Sequence, residues 1–323
     1  AYVKEGHLIA GDLSARPDSA IASVADLMGA VPNAEPLQRF PGVQWTHADQ
    51  VLVEVGDRFV TLDLKTKTSR VHLPTPTSVE HAEFDPGFQR LAYTENGNLI
   101  IRVREPDDLL PITTDAEDGL SYGTSVHRDE YGVHKGTFWS PDGGKIAFYR
   151  LDERMVSPYS VEDISTAPST FNRFRYPMAG DTSHQVSVHV FDTRSMALVQ
   201  LKTDGAVDDY LTNISWDPTG REVQVIHLNR ASDHLRVVSY DATTGLPVRT
   251  LLEERSNTWL EPQEPLLFLK TRPGQYVHTS DSDGWHHLYL RDTRKGLIRQ
   301  LTKGTWEVKR VIGMDPKEEW LFL

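Results

Sequence analysis

Gly119-Leu120-Ser121-Tyr122-Gly123 fits G-x-S-x-G, the strand-to-helix elbow that lifts a nucleophilic serine out of an α/β-hydrolase sheet. Its chemistry would be acyl transfer, and it needs a buried strand before it and a helix behind it. The letters supply neither: Thr113–Asp118 is polar and turn-like, and Thr124–Asp129 has no helical apolar face. A pattern with three fixed positions arises easily by chance, so Ser121 reads as inert. Metal chemistry finds no better footing. The chain has thirteen histidines, yet none stands in H-E-x-x-H or H-x-H spacing. His286 and His287 are neighbours on an expected strand and face opposite ways, so they cannot share one ion without distortion. They read as structural or solvated histidines. Glu253-Glu254 and Glu318-Glu319 read as solvated charge near strand edges. There remains Val126-His127-Arg128-Asp129-Glu130-Tyr131-Gly132, which sets four polar or charged side chains just ahead of an expected strand. As letters alone, it is an exposed polar connection.

The elements that must position these residues are strands. The chain has 323 residues, 38% of them hydrophobic, and a mean hydropathy of −0.44. That is length enough for one large domain or two ordinary ones. No uninterrupted apolar run approaches the ~20 residues of a membrane-spanning helix. A net charge of −12 without a basic patch argues against nucleic acid as a partner. The absence of cysteine excludes disulfides, thiolate metal sites and cysteine nucleophiles. It leaves the compartment open, and Ala1–Lys4 does not open a leader-like pattern of charge followed by an apolar run.

One unit repeats along the chain: a strand, an aromatic-x-Pro-Gly type turn, and three further strands. The clearest copy runs Gly136–Gly143, Lys145–Tyr149, Val186–Asp192 and Ala197–Leu201. Others open at Ala82–Gly87, Asn213–Gly220 and Leu267–Gly274, with a poorer one near Val43–Trp45 and a final one at Val311–Pro316 that is cut off at Leu323. Segments are short and rich in β-branched and aromatic residues, with Pro at turns where a missing N–H does no harm. Prolines 86, 141, 218, 273 and 316 are spaced by 55, 77, 55 and 43 residues, which brackets a four-stranded propeller blade once insertions are allowed. The expected fold is therefore all-β, a β-propeller of four-stranded blades, incomplete in this chain. A β-sandwich would not repeat one turn signature so often. Trp45, Trp139 and Trp216 recur at one blade position and are expected in the core.

Two stretches interrupt the repeat. Ser19–Ala30 has helical spacing at Ile21, Val24, Ala25 and Met28, with Asp18 or Ser19 as the expected N-cap. Asp152–His184, proline- and aromatic-rich, accounts for the longest gap as one long blade insertion. Residues 1–36 are thus expected to form a partial first blade with a helical insertion, and residues 37–323 the blades proper.

Several motifs together resemble the N-terminal propeller of prolyl-oligopeptidase-type serine exopeptidases, the dipeptidyl peptidase IV group, and in particular its bacterial branch with prolyl tripeptidyl aminopeptidase. They are Ser125–Gly132, Lys135–Gly143 with Ile146–Arg150, Tyr176–Gly180 with Ser183-His184, Tyr210–Trp216, Asp283–Tyr289 and Leu301–Val308. The resemblance is nearly continuous from about residue 37 onward. It implies a substrate-gating domain of an enzyme that releases di- or tripeptides after proline. It also implies a C-terminal α/β-hydrolase domain supplying Ser, Asp and His, which this chain stops short of. No catalytic residue, cofactor or metal is expected within it. By position relative to Phe138–Pro141, Glu130 matches the family's anchor for the substrate's free α-ammonium, with Asp129 and Arg128 beside it in place of paired glutamates. The insertion at 152–184 corresponds to a propeller extension that takes part in homodimer contacts, for which Tyr159, Phe171 and Arg173 are the candidates. The implied partners are peptides with a free N-terminus, and the implied compartment is the periplasm or cell envelope. The alternative reading is a non-catalytic, stand-alone propeller acting as a protein-interaction module.

Overall fold

A computed structural model of the chain describes residues 1–11, 18–74, 80–104 and 108–323. It divides into two compact units, residues 1–79 with 87–91 and 102–108, and residues 80–86, 92–101 and 109–323. Strands follow one another as antiparallel meanders. The first sheet joins β1 (Tyr2–Lys4), β2 (His7–Ala10) and β3 (Ser19–Ser23), with α1 (Val24–Met28) after it. The next is β4 (Val43–His47), β5 (Gln50–Val55), β6 (Arg58–Asp63) and β7 (Ser69–Pro74). Then come β8 (Glu80–Phe84), β9 (Arg90–Glu95), β10 (Asn98–Val103) and β11 (Leu109–Pro111). A five-stranded sheet follows, with β12 (Leu120–Tyr122) and β13 (Thr137–Trp139) both paired to β14 (Lys145–Asp152). It is interrupted by a separate hairpin, β15 (Pro158–Asp163) and β16 (Thr170–Arg175), and resumes with β17 (Gln185–Asp192) and β18 (Leu198–Gln200). The last four-stranded sheets are β19 (Tyr210–Trp216) to β22 (Pro247–Arg255), through β20 (Glu222–Leu228) and β21 (His234–Asp241), and β23 (Leu267–Phe268) to β26 (Gly296–Gln300), through β24 (Gln275–Ser280) and β25 (His287–Asp292). A two-stranded sheet, β27 (Gly313–Met314) and β28 (Leu321–Phe322), closes the list of elements. This is the expected all-β fold of propeller blades.

Each unit buries its own apolar face. In the first, Leu8, Leu27, Val51, Val53, Val60 and Leu62 form one cluster. In the second, Tyr149, Val188, Val225, Val237 and Tyr240 are fully buried at the centre of a larger one. The recurrent tryptophan has a physical role there: Trp139 Nε1 donates to Glu83 O at 3.2 Å and Trp216 Nε1 to Phe138 O at 2.9 Å. Each buried indole thus satisfies its polar atom on the first strand of the preceding blade. Trp45 departs from the expectation. It is 45% exposed against 8% and 9% for Trp139 and Trp216, and its strand neighbours Gln44 and His47 are exposed with it.

The expected helix at 19–30 is corrected as well. Ser19–Ser23 pairs with His7–Ala10 as a strand, and only Val24–Met28 is helical. Periodicity placed Ile21 and Val24 on one helical face, but a ladder to β2 satisfies the same backbone groups and still buries Ala22. The cap is Ser23, whose backbone N–H and hydroxyl both donate to the Asp26 carboxylate, rather than Asp18 or Ser19. Residues 12–17 of that expected first blade lie outside the described residues.

Candidate functional site

The connection from β12 to β13 holds the segment singled out above. Its backbone is unusual: φ is +56° at His127, +58° at Arg128, +61° at Asp129 and +57° at Tyr131, followed by +68° at Gly132. Glu130 alone is extended, at φ −69° and ψ 168°. Left-handed geometry costs an ordinary residue roughly 1–2 kcal/mol, so four such residues persist only where packing holds them. The packing comes from the two ends. His127 and Tyr131 are buried, while Arg128, Asp129 and Glu130 between them are exposed.

His127 Nε2 lies 3.1 Å from Leu211 O and its Nδ1 lies 2.9 Å from His184 Nε2. A carbonyl can only accept, so His127 carries its proton on Nε2, and its bare Nδ1 accepts from the Nε2–H of His184. His184 Nδ1 is then a bare acceptor, and it has no partner among the described residues. Both rings are held neutral. Burial first and His184 second push His127 down to about 3, and burial with the Arg128 and Arg230 cations pushes His184 down to about 4. Tyr210 stands edge-on to His127 at 5.1 Å and tilted against Tyr131 at 5.0 Å, and Arg230 lies over its ring. At the other end, the side-chain amide of Asn213 donates to Tyr131 O at 2.8 Å and Pro262 O at 3.3 Å. Gly132 sits so close to the second of these segments that a Cβ there would lie 1.9 Å from Gln263 O.

Of the three exposed charges, Arg128 is already engaged. Its guanidinium donates to Arg175 O, reaches Glu153 Oε1 at 3.5 Å and lies 4.9 Å from the centre of the Tyr176 ring. Burial pushes the Glu153 carboxyl up against the pull of that guanidinium. Arg175 in turn donates to Val156 O at 3.0 Å and to Asp118 at 2.5 Å. The two arginines therefore tie the segment to the root of the β15–β16 hairpin. Among the described residues, the side-chain carboxylates of Asp129 and Glu130 make no hydrogen bond or ion pair, so they are open acceptors. A cavity of ≈ 1100 Å³ opens at the C-terminal end of the segment, with Gly132, Glu254, Trp259, Glu261, Trp285 and His286 in its wall; Asp129 and Glu130 do not line it. That volume suits a peptide.

The other candidates resolve as follows. Ser121 pairs with Leu151 in a strand, and its hydroxyl meets Thr124 Oγ1 at 3.0 Å; no α-helix follows that strand, only the left-handed turns at His127–Gly132, so there is no elbow. His286 and His287 face opposite ways as expected, the first bound to Asp281 at 2.7 Å and the second buried against Thr302 and Gly304. Among the described residues no three His, Asp or Glu side chains are arranged to hold a metal ion. The glutamate pairs need correcting. Glu254 is largely buried, 3.5 Å from His278, and Glu318 accepts from the Lys270 and Thr271 backbone N–H groups and the Thr271 hydroxyl. Both carboxylates are structural because a chain segment distant in sequence closes over them. Tyr159, Phe171 and Arg173 are all exposed on the hairpin. Its register, Tyr159 opposite Phe174 and Ser160 opposite Arg173, puts Tyr159 on one face and Phe171 with Arg173 on the other. His184, Asn213 and Tyr210 had no sequence signal as site residues beyond lying in family-like motifs. Their role arises from contacts across 57 and 82 residues of chain.

Comparison with known proteins agrees with this fold. Residues 42–323 match the family model of the dipeptidyl peptidase IV (DPP IV) N-terminal region. A protein of Pyrenophora tritici-repentis assigned as dipeptidyl-aminopeptidase B is 28% identical over 260 residues, which cover 71% of this chain and 29% of that protein. One of Coccidioides posadasii with the same assignment is 29% identical over 275 residues, 76% of this chain and 30% of its own. A solved structure from Bacteroides ovatus, assigned as a dipeptidyl aminopeptidase IV, matches with TM-score 0.86 at 30% identity, covering 99% of this chain and 47% of that one. Porphyromonas gingivalis dipeptidyl peptidase 4 shares the fold, with TM-score 0.74 at 18% identity over 98% of this chain and 48% of its own. The chain thus spans less than a third of those curated relatives and about half of those solved chains. With the family model matched over most of its length, the chain belongs to the dipeptidyl peptidase IV N-terminal region family.

Proposed function

We propose that this chain is the substrate-gating and N-terminus-recognising domain of a serine exopeptidase that releases di- or tripeptides after proline. In this reading Glu130 receives the substrate's free α-ammonium, Asp129 lies beside it, and Arg128 positions both by its ties to Glu153, Arg175 and Tyr176. The observation that carries it is the pair of open carboxylates on an over-held segment, next to an arginine whose charge is already engaged elsewhere. An α-amino group with a pKa of about 8 is largely cationic at neutral pH. Its charged hydrogen bond to a carboxylate contributes about 1.5–3 kcal/mol. Relatives two to three times longer than this chain support a companion α/β-hydrolase domain that supplies the catalytic serine, aspartate and histidine. The distance from Glu130 to that serine would then set how many residues are removed. The bacterial resemblance favours the periplasm or envelope, a placement that cell fractionation checks.

In the same reading two copies associate through the β15–β16 hairpin, which exposes Tyr159 on one face and Phe171 on the other. The central test is Glu130→Gln in the full-length protein, which keeps the shape and removes the charge. On proline-containing peptides with a free amine, kcat/KM should fall about tenfold to a hundredfold. Unchanged kcat/KM on those peptides would sink the assignment.

A further inference from the structure

We propose that Asn213 is the positioning residue of the ammonium anchor: its side-chain amide clasps the carbonyls of Tyr131 and Pro262 and thereby fixes the backbone that presents Glu130. The inference rests on the reading of Glu130 as the anchor. Asn213 is 5% exposed and lies at an irregularity of β19, where the register with β20 shifts between Thr212 and Ser215. Its own φ is +48°, a left-handed geometry that asparagine tolerates better than most residues. Both flanking residues, Thr212 and Ile214, are buried, so the strand has no solvent face on which a polar side chain would be expected. The amide instead crosses to two other segments, at 2.8 Å and 3.3 Å.

Those segments are the two that frame Glu130. Tyr131 follows it directly, and Pro262 precedes Gln263, whose carbonyl Gly132 touches. The Glu130 carbonyl is itself held by the Val133 N–H at 3.1 Å. Hydrogen bonds to the Glu130 carbonyl and to the carbonyl after it therefore help fix where its Cα–Cβ bond points, and of these two the clasp is the one that reaches outside the segment. Without it, the strained left-handed residues lose one restraint and Glu130 gains alternative positions. A misplacement of about 1 Å at such a group costs up to a hundredfold in rate.

The test is a double-mutant cycle in the full-length protein, with Asn213→Gly, Glu130→Gln and both together. Glycine accepts the left-handed backbone and removes only the amide. On free-amine peptides, Asn213→Gly should lower kcat/KM about tenfold or more, with most of the loss in KM. On the matching desamino peptides, which lack the ammonium, it should change kcat/KM by no more than about twofold. In the Glu130→Gln background, Asn213→Gly should likewise add no more than about twofold. Equal losses on both peptides, or losses that multiply in the double variant, would reduce Asn213 to a general structural residue and overturn the proposal. So would full activity in a folded Asn213→Gly. If the glycine variant does not fold, Asn213→Asp, which keeps the shape but turns the donor into an acceptor, is put through the same cycle and judged by the same outcomes. An unaffected Glu130→Gln would instead remove the anchor reading itself, so the two failures are distinct.

Discussion

The His127–His184 pair makes the stability of the second unit depend on mild acid. His184 is 6% exposed and held at about 4, below the ordinary histidine value of about 6.5. Between those two values the unfolded chain carries a proton that the folded chain refuses, so stability is fully present above about 6.5 and is lost as pH falls toward 4. At about pH 5 the deficit is 1.5 pH units at about 1.4 kcal/mol each, or about 2 kcal/mol for His184 alone. His127, held lower still, adds to it in the same direction. Protonation of His127 also breaks the pair, because its Nδ1 no longer accepts, whereas His184 takes its proton on Nδ1 and keeps donating through Nε2. The perturbation is His184→Gln, whose amide can still donate to His127 Nδ1 while removing one titrating group. Urea unfolding at about pH 7 and about pH 5 should show wild type losing about 2 kcal/mol more than the variant over that interval. NMR titration of the ring protons should find His184 neutral down to about pH 5. Equal losses for both proteins, or a His184 ring that titrates near 6.5, would refute the burial argument.

Two further outcomes follow from local geometry. Gly132→Ala drives a Cβ to within 1.9 Å of Gln263 O and strains a left-handed residue, so it should cost about 2–4 kcal/mol in urea unfolding; an unchanged midpoint would mean the two segments do not touch. Removing the hairpin tip between Tyr159 and Arg173 should convert a dimer into a monomer by light scattering, and an intact full-length protein that is already monomeric would dispose of the hairpin as a dimer surface.

The letters alone carried the blade architecture a long way, because a blade is local physics. Pro-Asp-Gly and Asp-Pro-Gly turns and short β-branched runs specify a meander within some fifty residues of chain, and the insertion announced itself as a break in their spacing. The same local reading misjudged the segment at 19–30, where helical periodicity lost to a ladder with β2, and Trp45, whose blade position did not cover it. The position of Glu130 was legible only through family-like motifs around it. What makes those carboxylates available was not legible at all: His127 against His184, Asn213 against Tyr131, and Arg128 against Arg175 meet across 57, 82 and 47 residues. Spacing along a chain carries no signal of such contacts, because they are made when separate strands and loops close on one another. Sequence by itself thus determined the repeating strands, and its family-like motifs proposed Glu130 as an anchor. Only the tertiary structure decided which charges are already engaged and which remain open to a substrate, since that depends on what each side chain meets after folding.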